Sequence, residues 1–401
     1  MTPFAGIRVL DFTQVISGPF TTYQLAALGA EVIKVEQPKT GDQGRRMLAP
    51  TPDALEAGMS ALFTSVNSGK RSLTLDLKHP RAREVLEPLV READVVVENF
   101  KAGTLERLGL APATLHELQP QLIICRISGY GQTGPRADAA AYDPVLQAAS
   151  GMMSVTGFPE TGPTKVGFWV VDMTTGMNAA FAIAGALFKR AQTGAGEVLD
   201  VAMLDTAVSL MSPLATMFLN FGVEPAFTGN GTPGSGGAST VYATSDGHVT
   251  IAAATDAQFR RLMVEIGRPE AAEDQRFQTR AGRVTHSVAY RGIVAEALES
   301  DTALNWQSRL AKVGVAANVV QKVADLDNDP QVKHRELFAH LGHVSGIAPE
   351  FRAVNVGFRS ERGRPVVKRP PPEVGQQTDE ILAEIGFSKE AIAGLKQDGV
   401  V

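Results

Sequence analysis

Hydrophobic and polar positions over the first two hundred residues switch repeatedly between two periods. Residues 7–10 (Ile-Arg-Val-Leu) form a strand pattern closed by Asp11, and 18–28 carry apolar residues at helical spacing. Residues 31–35 read as the next strand. After a polar stretch over 37–60, residues 72–77 (Ser-Leu-Thr-Leu-Asp-Leu) alternate with period two. A helix follows over 80–93, with Pro80 at its start and Arg and Glu on its outer face. Strand 94–97, helical material over 104–119 and strand 122–127 complete the series. Runs of Val and Ile alternating with helices predict a mostly parallel sheet covered on both faces.

Farther on, 195–202 reads as one more strand and 204–218 as a helix. Composition then shifts to Gly, Pro, Thr and Ser over 222–237, the signature of a linker or loop. Residues 240–243, a Ser245-Asp246-Gly247 turn and residues 249–254 predict a hairpin, followed by helices over 256–311. A Pro-rich stretch, 364–374, leads into a last helical segment over 378–395. The fold class expected is α/β, a Rossmann-like parallel sheet in a large domain beside a smaller α+β domain. The expected boundaries are 1–205 for the first part of the large domain and 206–224 for a linker helix. The small domain then takes 225–320 and a second linker 321–350, and 351–401 returns to the large domain.

Composition narrows the class of protein. The chain has 401 residues, 44% hydrophobic and 20% charged, which is globular rather than disordered. A net charge of −5 argues against non-specific binding to nucleic acid. Its single cysteine, Cys125, has no intramolecular disulfide partner, which fits a reducing compartment. Residues 1–6 lack the basic and apolar regions of a signal peptide. The longest apolar run, 179–188, is about half of the ~20 residues of a membrane span. A cytoplasmic protein without membrane or nucleic-acid partners is expected.

Familiar motifs fail on context. Gly129-Tyr130-Gly131-Gln132-Thr133-Gly134 and Gly229-Asn230-Gly231-Thr232-Pro233-Gly234 both satisfy G-x-G-x-x-G. Neither is followed by the helix that a dinucleotide site requires. Gly69-Lys70-Arg71-Ser72 resembles the end of a phosphate-binding loop, but Thr64 stands where its first glycine belongs. His340 and His343 lack a third ligand nearby, so no metal site is expected. Cys125 sits inside an apolar strand and reads as a buried, inert thiol.

One carboxylate stands out. Asp172 follows the apolar stretch Val166-Gly167-Phe168-Trp169-Val170-Val171 and precedes a helix expected over 173–190. Its plainest role is a helix N-cap. The same position would hold a poorly hydrated carboxylate, kept ionised by the helix dipole, as a covalent nucleophile.

Several segments then resemble the class III coenzyme A transferases, the CaiB/BaiF family that includes formyl-CoA transferase. They are Gly6-Ile7-Arg8-Val9-Leu10-Asp11-Phe12-Thr13, Ser17-Gly18-Pro19, Leu28-Gly29-Ala30-Glu31-Val32-Ile33-Lys34-Val35-Glu36 and Asn67-Ser68-Gly69-Lys70-Arg71-Ser72. Val97-Glu98-Asn99-Phe100, Gly129 to Pro135, Thr193-Gly194-Ala195-Gly196 and Asp329-Pro330-Gln331 extend the likeness over nearly the whole chain. Each match is weak singly; in this order they are specific.

The resemblance implies that Asp172, with Gly176 after it, is the catalytic nucleophile. It would move CoA from an acyl-CoA, succinyl-CoA in preference, to a carboxylic acid through an aspartyl anhydride and an aspartyl-CoA thioester. CoA contacts are implied at Ile16, Ser17, Leu75, Lys78, Asn99, Phe100, Lys101, Arg107, Tyr142 and Asp143. Lys78 and Arg107 suit phosphates. Gly234, Gly236 and Gly237 are implied as a loop covering the intermediates. No tightly bound cofactor and no metal are expected, CoA thioesters being substrates, and an interlocked homodimer is implied. Related α-methylacyl-CoA racemases place a catalytic His where this chain has Tyr142, a poor base near neutral pH. Racemase, non-catalytic CoA-binding protein and nicotinamide-dependent dehydrogenase are the alternatives.

Overall fold

The computed structural model describes residues 2–232, 239–347, 349–361 and 363–401. Two compact units emerge. The larger comprises Met1–Ser150, Gly167–Ser212 and Lys333–Val401, and the smaller Gly151–Val166 and Pro213–Val332.

The larger unit is built on six strands: β1 (Arg8–Asp11), β2 (Glu31–Glu36), β3 (Arg71–Thr74), β4 (Val95–Glu98), β5 (Ile123–Ser128) and β6 (Glu197–Ala202). They lie in the order β3-β2-β1-β4-β5-β6, and every pairing is parallel. The mostly parallel, doubly covered sheet expected from the sequence is thus present. Period-two alternation divides its side chains between two cores. Leu10, Ile33, Leu73, Val96 and Ile124 point to one face. There they pack with Val85, Leu86, Leu89 and Val90 of helix α2 (Ala82–Glu92), and with the C-terminal Ile381, Leu382, Ile392 and Leu395. Val9, Val32, Val95, Val97, Ile123, Cys125 and Ile127 take the other face. Helix α1 (Ser17–Ala27) covers it with Leu25 and Ala26, and a 24-residue helix, α4 (Val170–Thr193), with Ala179, Ile183, Ala186 and Leu187. Helix α3 (Asp143–Ala149) precedes α4, and α5 (Met203–Leu210) follows β6. By length and composition α4 is apolar enough to cross a membrane; one side of it packs on the sheet through Ala179, Ile183, Ala186 and Leu187.

Order reverses at β1, whose neighbours are β2 on one side and β4 on the other. Loops leaving β1 and β4 therefore diverge and open a crevice at the strands' C-terminal ends. Buried charges fix the loop after β1. Asp11 accepts from Thr13 N at 2.9 Å, Thr22 Oγ1 at 2.7 Å and Lys70 Nζ at 2.9 Å. Lys70 also donates to Pro19 O and Asn67 Oδ1, so all three of its protons are placed. Beside it Lys34 Nζ donates to Thr13 O at 2.8 Å and pairs with Asp42 at 2.8 Å. Asp42 in turn accepts from Val15 N. Val15 needs that anchor, because its φ of 70° is a left-handed conformation disfavoured for a β-branched residue.

The smaller unit holds a three-stranded antiparallel sheet of β7 (Ser239–Ala243), β8 (His248–Ala252) and β9 (Ala316–Val319). Its core gathers Val249, Ile251, Phe259, Leu262, Tyr290, Val294, Trp306 and Leu310. The hairpin read from the Ser-Asp-Gly turn is the β7–β8 pair.

Lys70 and Asp11 supply the test of this scaffold. Despite burial, cations and hydroxyl donors hold the Asp11 carboxyl down at about 2. Its contribution to stability is present above the ordinary carboxylate range and is lost as pH falls through about 2. Lys70→Ala, which strands a buried anion, should cost about 3–5 kcal/mol in a urea titration. Arg81→Ala at an exposed ion pair should leave the midpoint where it is.

Candidate active site

A cavity of about 510 Å³ opens at the C-terminal ends of β1, β4 and β5. Three loops and two helix starts build its wall: 14–17 after β1, 99–102 after β4, 127–129 with 137–142 after β5, and Asp172 and Met203 from α4 and α5. Gln43, which follows the Asp42 anchor, completes it.

Asp172 stands half-buried in the first turn of α4. Two close approaches hold it against the 14–17 loop. Gly176, one turn on, lies where a Cβ would meet Ser17 O at 2.7 Å and the Phe20 ring, so only glycine lets α4 cross α1 this closely. The Ser17 hydroxyl thereby comes near the Asp172 carboxylate and favours its ionised form. Burial and the neighbouring Asp143 carboxylate nevertheless outweigh that influence, pushing Asp172 up to about 7. This corrects the expectation that the helix dipole keeps the group ionised. The cap expectation is corrected as well. Trp169 is the α4 N-cap and makes no side-chain cap bond, while Asp172 lies inside the helix.

Half of the residues proposed from sequence gather here. Ile16, Ser17, Asn99, Phe100, Lys101, Tyr142 and Asp172 line the one cavity. Asn99 is committed to the scaffold: its Oδ1 accepts from Gln14 N at 2.9 Å and its Nδ2 donates to Gln14 O at 2.8 Å, tying the two loops together. Phe100 is held through Glu98, which accepts from its N–H at 2.7 Å and pairs with Arg126. Four residues stand off the wall. Leu75 is 1% exposed and belongs to the hydrophobic core. Asp143 is 3% exposed beneath the cavity. Lys78 and Arg107 are exposed in connections that leave β3 and β4, on the same edge of the sheet as the cavity. Gly234, Gly236 and Gly237 lie outside the described residues.

Sequence reasoning missed Gln14, Val15, Gln43, Asp138 and Met203 as wall residues. Gln43 carried no signal, since its place depends on the buried Asp42 anchor. The first glycine motif has its explanation here too. A Cβ on Gly129 would fall 2.1 Å from that of Ala141, so this glycine allows the two loops after β5 to pack as one wall. Among the described residues no cluster of metal-ligating side chains occurs.

The arrangement suits acyl transfer to a carboxylate: a basic, partly desolvated Asp at a crevice, steadied by one hydroxyl. Comparisons with known proteins give the family. The sequence pattern of CoA-transferase family III matches residues 4–378. The chain is 36% identical to the succinate–glutarate CoA-transferase of Agrobacterium fabrum over 391 residues, covering 96% of each chain. It is 33% identical to the succinyl-CoA:glutarate CoA-transferase of Homo sapiens, with 100% of this chain and 90% of that protein covered. A CaiB/BaiF family protein from Brucella suis superposes with a TM-score of 0.85 at 34% identity, over 96% of this chain and 99% of that one. The chain is therefore an enzyme of the class III CoA-transferase family.

Proposed function

We propose that this enzyme moves CoA from succinyl-CoA to a small carboxylic acid, with Asp172 as the covalent nucleophile. The observation that carries the reading is the Asp172 carboxylate itself, basic and facing a cavity at the sheet's switch point. Two relatives named above act between succinyl-CoA or succinate and glutarate, which favours succinyl-CoA as donor and a dicarboxylate as acceptor.

Each step exchanges one acyl bond for another. An Asp172 oxygen attacks the thioester carbonyl, the C–S bond breaks, and CoA leaves as thiolate. The thiolate attacks the Asp172 carbonyl of the mixed anhydride, releasing the donor carboxylate and leaving Asp172 bound to CoA as a thioester. The acceptor carboxylate then attacks that thioester, and the returning thiolate takes the acceptor's acyl group from the second anhydride. Acyl energy is retained throughout if water is excluded. Lys101 on the wall, with Lys78 and Arg107 along the same sheet edge, would receive the CoA phosphates.

Assembly as a homodimer is the companion proposal. Met177, Phe181 and Phe188 form an apolar stripe along the outer side of α4, 57–78% exposed. Separately, the helix Ser212–Phe221 has no buried residue although it carries Phe218, Leu219 and Phe221. Apolar surfaces of this kind are covered in solution, and a second copy is the occupant that the family resemblance suggests.

Three outcomes are expected. Incubation with succinyl-CoA should leave a CoA adduct on the Asp172 peptide, seen by mass spectrometry and discharged by one particular carboxylate; Asp172→Ala should carry none. Absence of any adduct while CoA still binds would sink the covalent mechanism. Because Asp172 must be ionised to attack, kcat/KM should climb as pH rises through about 7 and then level off. In light scattering the wild type should show twice the 42.5 kDa chain mass. A Phe181→Glu/Phe188→Glu variant that kept that mass would remove the α4 stripe from the interface.

A further inference from the structure

Asp143 does something that the proposed cycle does not yet use. It opens α3 with Pro144 behind it, and its carboxylate is almost fully buried. One oxygen accepts from Val171 N at 2.7 Å and from Asp172 N at 3.1 Å. The other accepts from Gln147 Nε2 at 2.6 Å. The start of α4 is thus capped by a carboxylate from another helix, 29 residues before the nucleophile in sequence.

Two physical consequences follow. N–H groups at a helix start are an anion site, and left open they would stabilise the carboxylate of the first-turn Asp172. Asp143 occupies them. It also adds a second negative charge beside Asp172, which disfavours the ionised nucleophile and makes it more basic. Other groups around Asp172 contribute differently. The 99–102 loop offers Lys101, the 137–142 loop Asp138 and Tyr142, α5 an exposed Asp205, and α1 only the Ser17 hydroxyl.

We propose that Asp143 is a positioning residue that fixes the Asp172 backbone and repels the charged form of its side chain, so that acylation relieves a repulsion. When Asp172 oxygen bonds to the acyl carbon and the C–S bond breaks, the negative charge leaves Asp172 for the CoA sulfur. The Asp143–Asp172 repulsion is present before that step and absent after it, so the covalent intermediate gains relative to the free carboxylate. This inference rests on Asp172 being the nucleophile.

Asp143→Asn tests it, since an amide oxygen can still accept from the α4 N–H groups while the charge is gone. The acid limb of adduct formation should move down by roughly one pH unit, and the plateau rate should fall roughly tenfold. Asp143→Glu, which keeps the charge, should leave the limb near its wild-type position. Where the Asn variant does not fold, Asp143→Ser keeps a hydroxyl acceptor and must shift the limb in the same direction. Carbon-13 titration of the Asp172 carboxyl in substrate-free protein reads the same displacement without turnover. An unmoved limb and an unmoved carboxyl titration in the charge-removing variant overturn the role of Asp143. No adduct on the wild-type Asp172 peptide, with a displaced titration, overturns the transferase mechanism and leaves the electrostatic pairing standing.

Discussion

Everything at the active site hangs on a cluster of buried charges under the loop after β1. A loop with Val15 in a left-handed conformation does not hold its shape from local preference. Its backbone groups are fastened one by one: Thr13 O by Lys34, Val15 N by Asp42, and both polar groups of Gln14 by Asn99. Lys70 and Asp11 lock the strand end from which the loop departs. Removing one of those charges leaves its partner buried and unpaired, which costs far more than a surface ion pair contributes. The loop in turn delivers Ser17 to Asp172. A network that looks like core stabilisation is therefore what sets the position of the hydroxyl beside Asp172.

Asp11 and Asp172 show how environment alone separates two identical side chains. Asp11 is fully buried and Asp172 half-buried, and burial pushes both toward the neutral acid. Asp11 receives two hydroxyls, one backbone N–H and an ammonium group, and it is held at about 2. Asp172 receives a single hydroxyl and faces another carboxylate, and it rises to about 7. The difference lies in donors and neighbouring charges rather than in depth. One aspartate is fixed as structural anion, and the other is left basic, as the proposed nucleophile has to be.

The sheet was legible because its strands are short Val- and Ile-rich runs whose alternation serves two cores. Helix ends were less so. The segment 104–119 is two helices, Thr104–Arg107 and Pro112–Leu118, separated where Gly109 takes a φ of 72°. Gly386, at 96°, likewise divides the C-terminal segment. In both places a left-handed glycine ends a helix that apolar periodicity alone would continue. At the site, Asp172 stood out because an acidic residue follows six apolar or small ones. Asn99 and Leu75 were suggested by resemblance; Asn99 lines the cavity while tying two loops together, and Leu75 fills the core. The Asp143 cap was invisible, since nothing local to either residue says that a carboxylate 29 positions upstream will close the α4 start.

In the proposed cycle the charge on Asp172 alternates between one and zero, while the charge that leaves it always resides on a mobile partner, thiolate or carboxylate. A site that bound the Asp172 anion tightly would resist every departure from the resting state. This site binds it poorly: a desolvated position and a neighbouring anion disfavour the resting form and outweigh the one hydroxyl that favours it. The anhydride and thioester forms are neutral at Asp172 and escape that penalty, so the site is better matched to the intermediates than to the free enzyme. Such a match has a structural cost that falls on the resting protein, because ionising Asp172 above the ordinary carboxylate range works against folding. The buried ion pairs beneath the β1 loop are the part of the molecule placed to offset it.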